Sequence, residues 1–228
     1  MDFSFLSKTI LFKGTSPEEV EKMIDCLSAE SRQFSKGERI CCAGDTVQSM
    51  GLVLSGGVNI ESDDLWGNKS ILNHIAAGQI FAETYACLAG EPLMVNVVAT
   101  EPSEILFLNT SRILQTCPSA CPYHNKLLRN LLSVLAQKNL NLSQRIFHTS
   151  SKSIRGRLIS YLSFQATRQG SYRIVIPFNR QQLADYLSVD RSAMSNELSK
   201  MQRDGLLCTH KNVFELKKIP YGPQLTKT

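Results

Sequence analysis

Six residues at heptad spacing constrain this chain more than any other feature. Leu128, Leu132, Leu135, Asn139, Leu142 and Ile146 are separated by 4, 3, 4, 3 and 4 residues. That alternation marks a coiled-coil seam, with Leu128, Leu135 and Leu142 at d and Leu132, Asn139 and Ile146 at a. Such a seam needs a second helix to cover it, so the spacing predicts a parallel homodimer. Asn139 fits: a buried Asn at one a position pairs with its symmetry mate and fixes the register, at a cost in stability. Leu127 and Leu131 widen the apolar face, so the helix is also expected to pack against its own domain.

This helix separates two unlike halves of a 228-residue chain, a length that suits two compact domains. Residues 1–149 hold 12 Lys and Arg against 15 Asp and Glu, a net charge of −3; residues 150–228 hold 13 against 5, a net charge of +8. The C-terminal third is therefore expected to meet a polyanion.

Before the seam, Ser16-Pro17-Glu18-Glu19 opens a helix with an N-cap, a proline at the first helical position and a capping box. Val20, Met23, Ile24 and Leu27 then recur at helical spacing. From about residue 33 to 110, turn signals fall about every ten residues: Lys36-Gly37-Glu38, Ala43-Gly44-Asp45, Ser55-Gly56-Gly57, Trp66-Gly67-Asn68 and Ala77-Gly78-Gln79. Val58-Asn59-Ile60-Glu61 alternates as a half-buried strand does, and Ile105-Leu106-Phe107-Leu108 reads as a fully buried one. Together these predict an antiparallel sandwich or barrel.

After the seam comes a polar hinge, Ser150–Ser153, then a helix ended by Gly170 and a strand over Tyr172–Ile176. The sharpest signal is residues 179–206. Leu183, Ala184 and Leu187 give a first helix its apolar face, Ser188-Val189 makes the turn, and Asp190 caps a second helix. There Met194, Leu198 and Met201 point inward, leaving Arg191, Ser192, Ser195, Asn196 and Lys200 on the other face. Two short helices joined in this way, the second exposing Arg, Ser and Asn, make a DNA-reading helix-turn-helix. Leu206–Thr209 and Val213–Leu216 flank Lys211-Asn212 as a β-wing. Arg180, Lys200 and Lys211 are expected to contact phosphate, and Arg191, Ser192, Ser195 and Asn196 to face the bases.

Over nearly its whole length the chain resembles the cyclic-AMP receptor protein/FNR (Crp/Fnr) family of transcription regulators. The residues that carry the resemblance are Lys36-Gly37-Glu38, Ala43-Gly44-Asp45, Leu54–Val58, Gly78–Glu83 and the helix-turn-helix at Arg180–Gly205. It implies an α+β protein in three parts: a double-stranded β-helix, or jelly-roll, sensor resembling cyclic-nucleotide-binding domains (1–119), a dimerisation helix (120–149) and a winged helix-turn-helix (150–228). It further implies a homodimer on a two-fold DNA operator, a small effector in the sensor, and RNA polymerase as a partner where such a regulator activates.

The effector is expected to differ from cyclic AMP. Relatives that bind cyclic nucleotides place an Arg-Ser or Arg-Thr pair some ten residues after the Glu of a phosphate cassette, because a guanidinium fork pairs with the cyclic phosphate. Here Phe81-Ala82-Glu83-Thr84-Tyr85 is followed at that distance by Leu93-Met94, and no Arg lies between Arg39 and Arg112. Phe81, Glu83, Tyr85, Leu93, Met94 and Trp66 are candidates for an apolar or aromatic effector pocket. An iron–sulfur cluster of the family's kind is not expected, since residues 1–25 hold no Cys, and His74 with Cys87 is not a recognisable haem pair. Cys117, Cys121 and His124 lie within eight residues. Their first reading is a connector with buried thiols; the alternative is a metal- or redox-responsive site, with a fourth ligand from elsewhere. Adjacent Cys41 and Cys42 face opposite ways if they share a strand, so one is expected to be exposed.

No catalytic motif or paired catalytic carboxylate is visible, so the chain is not expected to be an enzyme. No signal peptide or membrane-length apolar run is present, and seven cysteines without an export signal read as reduced cytoplasmic thiols.

Overall fold

The computed structural model describes residues 1–64, 66, 69–88, 90–114 and 122–217. Contacts divide the chain into two compact units, Met1–Gln137 and Lys138–Thr228.

The first unit opens with α1 (Phe3–Lys8), capped by the Asp2 carboxylate, which accepts from the Phe5 N–H at 2.9 Å. Six residues are too few for a periodic signal, and the sequence reading passed over it. In α2 (Pro17–Cys26) both halves of the Ser16–Glu19 capping box form, and Val20, Met23 and Ile24 are buried. Eight strands follow: β1 (Glu30–Phe34), β2 (Arg39–Cys41), β3 (Ser49–Ser55), β4 (Gly57–Asp63), β5 (Lys69–Ala76), β6 (Ile80–Phe81), β7 (Asn96–Ala99) and β8 (Ser103–Asn109). They form two four-stranded antiparallel sheets, ordered β1-β8-β3-β6 and β2-β7-β4-β5. The short helices α3 (Glu83–Cys87) and α4 (Thr110–Leu114) follow β6 and β8.

Strand β8 shows why the apolar run at 105–108 is unbroken. Val53, Val58, Phe81, Val97 and Ile105, with Phe107 packed against them, form one core of the strand domain. Leu106 and Leu108 enter a second core with Leu6, Val20, Leu27 and Leu127 from the helices. The strand is covered on both faces, so apolar residues need not alternate with polar ones. Gly51 on β3 admits Phe81, because a Cβ there would sit 2.2 Å from the ring.

The long helix α5 (Pro122–Thr149) is shared between the units. Leu127, Leu131 and Val134 are buried in the helical core of the first unit. Lys126 Nζ donates to Gly14 O at 3.0 Å, and Asn130 Nδ2 donates to Leu11 O and Lys13 O, each at 2.9 Å. The boundary by contacts falls inside α5, between Gln137 and Lys138.

The second unit holds the end of α5, then α6 (Ile154–Gln169), β9 (Arg173–Val175), α7 (Arg180–Leu187), α8 (Arg191–Arg203), β10 (Leu207–His210) and β11 (Val213–Leu216). Gly170 ends α6 in a left-handed conformation, φ 60°. The strands form a sheet ordered β10-β11-β9. Leu158, Tyr161, Leu162, Ile174, Leu183, Leu187, Met194, Leu198, Met201 and Phe214 build one core. His148, near the end of α5, is buried in contact with the Tyr161 and Phe164 rings, with centroids at 5.5 and 5.0 Å. Burial holds its pKa below the usual histidine value.

Candidate nucleic-acid interface

The helix-turn-helix is set by three local devices. Asn179 caps α7 in a capping box with Gln182. Ser188 takes a left-handed conformation, φ 54°, which turns the chain within one residue. Asp190 then caps α8, accepting from the Ala193 N–H at 2.7 Å. Met194, Leu198 and Met201 are buried against α7 and α6, so the opposite face of α8 must point outward.

That outer face carries Arg191, Ser192, Asn196 and Lys200, all exposed. Ser195 is half-buried and its hydroxyl donates back to Arg191 O at 2.9 Å. Ser199 and Arg203 are exposed too, and the sequence reading left them out. Helical spacing was the signal: Ser199 lies seven residues beyond Ser192 and Arg203 seven beyond Asn196. Glu197 turns inward to an ion pair with Arg155, which also reaches Asp204 at 2.8 Å, so these groups brace α6 against α8.

The wing forms where expected. Lys211 and Asn212 make the turn between β10 and β11, Lys211 at φ 53°, the left-handed geometry of a tight hairpin. Lys211 is exposed at the tip. Arg180 is half-buried. Its guanidinium donates to Thr209 Oγ1 at 2.8 Å and lies over the Phe214 ring, 5.0 Å from the centroid. Burial lowers its pKa. Arg180 thus ties α7 to the wing, because a planar cation on an aromatic face gains more there than on an open surface. An open cleft of about 740 Å³ runs between these parts, lined by Asn179, Arg180, Gln181, Arg191, Lys211 and Asn212. Helix N-termini and cations on its walls suit a phosphate backbone.

Two further arginines hold the carbonyl end of α7. Arg157 donates to Leu187 O and Ser188 O, both at 2.9 Å. Arg145, on α5, donates to Tyr186 O at 3.2 Å and Asp185 O at 3.1 Å. Cations there satisfy open carbonyls and complement the helix dipole.

On α5 the seam faces solvent. Leu132, Leu142 and Ile146 are 56%, 61% and 68% exposed. Asn139 is exposed as well, while Leu128 and Leu135 are half-buried.

In the strand domain the candidate pocket residues separate. Phe81, Glu83 and Leu93 are buried and Tyr85 is half-buried. Leu93 is locked by backbone hydrogen bonds with Gly44 and Asp45. Met94 is 77% exposed and Trp66 84%, so neither side chain walls an enclosed site. A position in an irregular loop has no alternation rule to say which neighbour turns inward. Cys41 and Cys42 are both half-buried, so neither is the exposed thiol expected. Burial, then the nearby Asp45 carboxylate, pushes the Cys41 thiol up to about 11, which keeps it protonated and inert at neutral pH. Cys117 and Cys121 lie outside the described residues; His124 is buried in the first turn of α5.

Two family models match in series: the cyclic nucleotide-binding domain over residues 31–119, and the Crp-like helix-turn-helix domain over residues 156–220. The chain belongs to the Crp/Fnr family. It is a DNA-binding transcription regulator of the Crp/Fnr type and not an enzyme. A curated relative, the cyclic AMP receptor protein of Thermus thermophilus, is 25% identical over 200 residues, which cover 86% of this chain and 87% of that one. Among solved structures, CprK complexed with OCPA aligns with a TM-score of 0.59 at 14% identity, over 86% of this chain and 91% of that one. The c-di-GMP-responsive global regulator CLP of Xanthomonas campestris aligns with a TM-score of 0.53 at 17% identity, over 89% and 99%. These two likenesses are of fold. Among the described residues, no helix of this Crp/Fnr protein is long and apolar enough to cross a membrane.

Proposed function

We propose that this regulator acts as a cytoplasmic homodimer that reads an inverted-repeat operator with α8 and is gated by a small effector other than cyclic AMP. The observation that carries the reading is the outer face of α8, where Arg191, Ser192, Ser195 and Asn196 stand at helical spacing on a rigid, capped element. Asn196 suits adenine N6 and N7, so each half-site is expected to carry an A·T pair opposite it. Two-fold symmetry places the half-sites about one helical turn apart. Lys200 and Lys211 meet phosphate, while Arg180 sets the angle of the wing. RNA polymerase is the further partner where the protein activates.

The effector argument rests on charge. The relatives above are named for cyclic AMP, OCPA and c-di-GMP, so the shared fold does not set the ligand. The segment after the Phe81–Glu83 cassette offers Leu93, buried, and Met94, exposed, with no guanidinium. A cyclic phosphate buried there would lack a counter-charge. Calorimetry is expected to show no binding of cyclic AMP at micromolar concentration; a micromolar Kd overturns this part. The DNA reading is tested by selection from a random duplex pool. The expected product is a palindrome with A·T pairs at the Asn196 positions, and Asn196→Ala should relax preference there. Unchanged base preference in that variant assigns the reading to other residues.

A further inference from the structure

We propose that Arg145 is the positioning residue that fixes the spacing of the two α8 helices on DNA, an inference that rests on the dimer reading above. The boundary within α5 supplies the first observation. Residues 138–149 belong to the same compact unit as the helix-turn-helix, so the seam residues Asn139, Leu142 and Ile146 share that unit with α8. Chain connection alone does not fix the angle between them. α5 ends at Thr149 and α6 begins at Ile154, with Ser150, Ser151, Lys152 and Ser153 between, a short polar link that admits many backbone angles.

Arg145 bridges that link. From α5 it donates to Asp185 O at 3.1 Å and Tyr186 O at 3.2 Å, 40 and 41 positions on, and its guanidinium lies over the Tyr186 ring, 5.9 Å from the centroid. From α6, Arg157 takes the next two carbonyls, Leu187 O and Ser188 O, and holds the link itself through Ser151 O at 2.8 Å. A helix leaves its last carbonyls without partners, and at the end of α7 four consecutive ones are met by two arginines, one from each side of the link. His148, three residues after Arg145, adds a second hold: its buried ring meets Tyr161 and Phe164 of α6, and its Nδ1 lies 3.2 Å from Ser160 Oγ.

The fastening reaches α8 because α7 and α8 are joined through Ser188 and Val189 and packed together through Leu183, Leu187, Met194 and Leu198. An anchor on the end of α7 is therefore an anchor on the reading helix. Arg145 is exposed and lies outside the buried cluster, so the fold of the unit does not depend on it. A fork onto two neighbouring carbonyls is a task for a guanidinium; a lysine offers a point charge without the fixed geometry.

The test measures operator affinity against spacer length. Full-length wild type and Arg145→Ala are titrated onto the selected palindrome, onto the same palindrome with two base pairs added or removed at its centre, and onto a single half-site. Two base pairs turn one half-site by about 70° and move it about 7 Å. Wild type should lose roughly 100-fold on the altered spacers, because both half-sites cannot be engaged together. Arg145→Ala should lose roughly tenfold or less there, hold its half-site affinity within about twofold of wild type, and keep the slope of log affinity against log salt. Arg145→Lys, with the cation but not the fork, should fall between the two, and it carries the comparison if circular dichroism shows the alanine variant unfolded. A spacing optimum as sharp in the variants as in wild type overturns the proposal. So does an equal loss on half-site and palindrome with a lower salt slope, which makes Arg145 a phosphate contact. A wild type with no spacing optimum overturns the dimer reading itself, and the proposal with it.

Discussion

Helices α5 and α8 each bury one face and leave the other in water, and the faces they leave are chemical opposites. On α5 the open face is Leu132, Leu142 and Ile146, with Asn139 among them. On α8 it is Arg191, Ser192, Asn196 and Lys200. An apolar stripe loses free energy in water and is relieved by a second apolar stripe. A polar, cationic stripe is already hydrated and gains by exchanging counter-ions for phosphate and water for base edges. On the reading proposed above, the same helical periodicity serves two partners: a second copy of the chain for α5, and DNA for α8.

The largest expected effect comes from breaking the α5 face. Leu142→Glu should give monomers by sedimentation velocity and weaken operator binding roughly 100-fold or more, because two linked half-sites become independent. Leu142 is the better probe than Leu135, which also packs against the core of the first unit. An intact Leu142→Glu dimer would remove α5 from the comparison. Next is the α8 face: Asn196→Ala should cost about 1–3 kcal/mol on the selected operator and relax one base pair per half-site, read by competition binding. Smaller still, Lys211→Ala should weaken all sequences alike and lower the slope of log affinity against log salt by about one per chain. A sequence-dependent loss would move Lys211 from backbone to base contact.

The smallest effect lies in the core of the second unit. Buried His148 resists protonation while the unfolded chain accepts a proton near pH 6.5. Stability of the second unit should therefore be full above that pH and decline as pH falls below it, levelling off below the depressed pKa of the folded state. Urea denaturation across this range reads the slope, and His148→Gln should flatten it.

Much of this was legible in the sequence because it is local. Ser16 and Glu19 cap α2 and Asp190 caps α8 within three residues of their partners, and the inward Met194, Leu198 and Met201 follow from period alone. What the sequence hid is long-range. Arg180 meets Thr209 across 29 positions, Arg157 meets Leu187 across 30 and Arg145 meets Tyr186 across 41, and no window of sequence shows such contacts. The nearness of Cys26 to His124, 98 positions apart, is of the same kind. Leu93 and Met94 are neighbours with opposite exposure in an irregular loop, so residue type could not decide which of them lines a pocket.

The central claim is that α5 recruits a second copy and α8 reads DNA, so the most direct test is the stoichiometry and symmetry of the DNA complex. Sedimentation equilibrium of the full chain on its selected duplex, with hydroxyl-radical footprinting of the same sample, measures both. The account predicts two chains per duplex and two protected half-sites related by a dyad, about one helical turn apart. One chain per duplex, or a single protected site without a dyad, would contradict it.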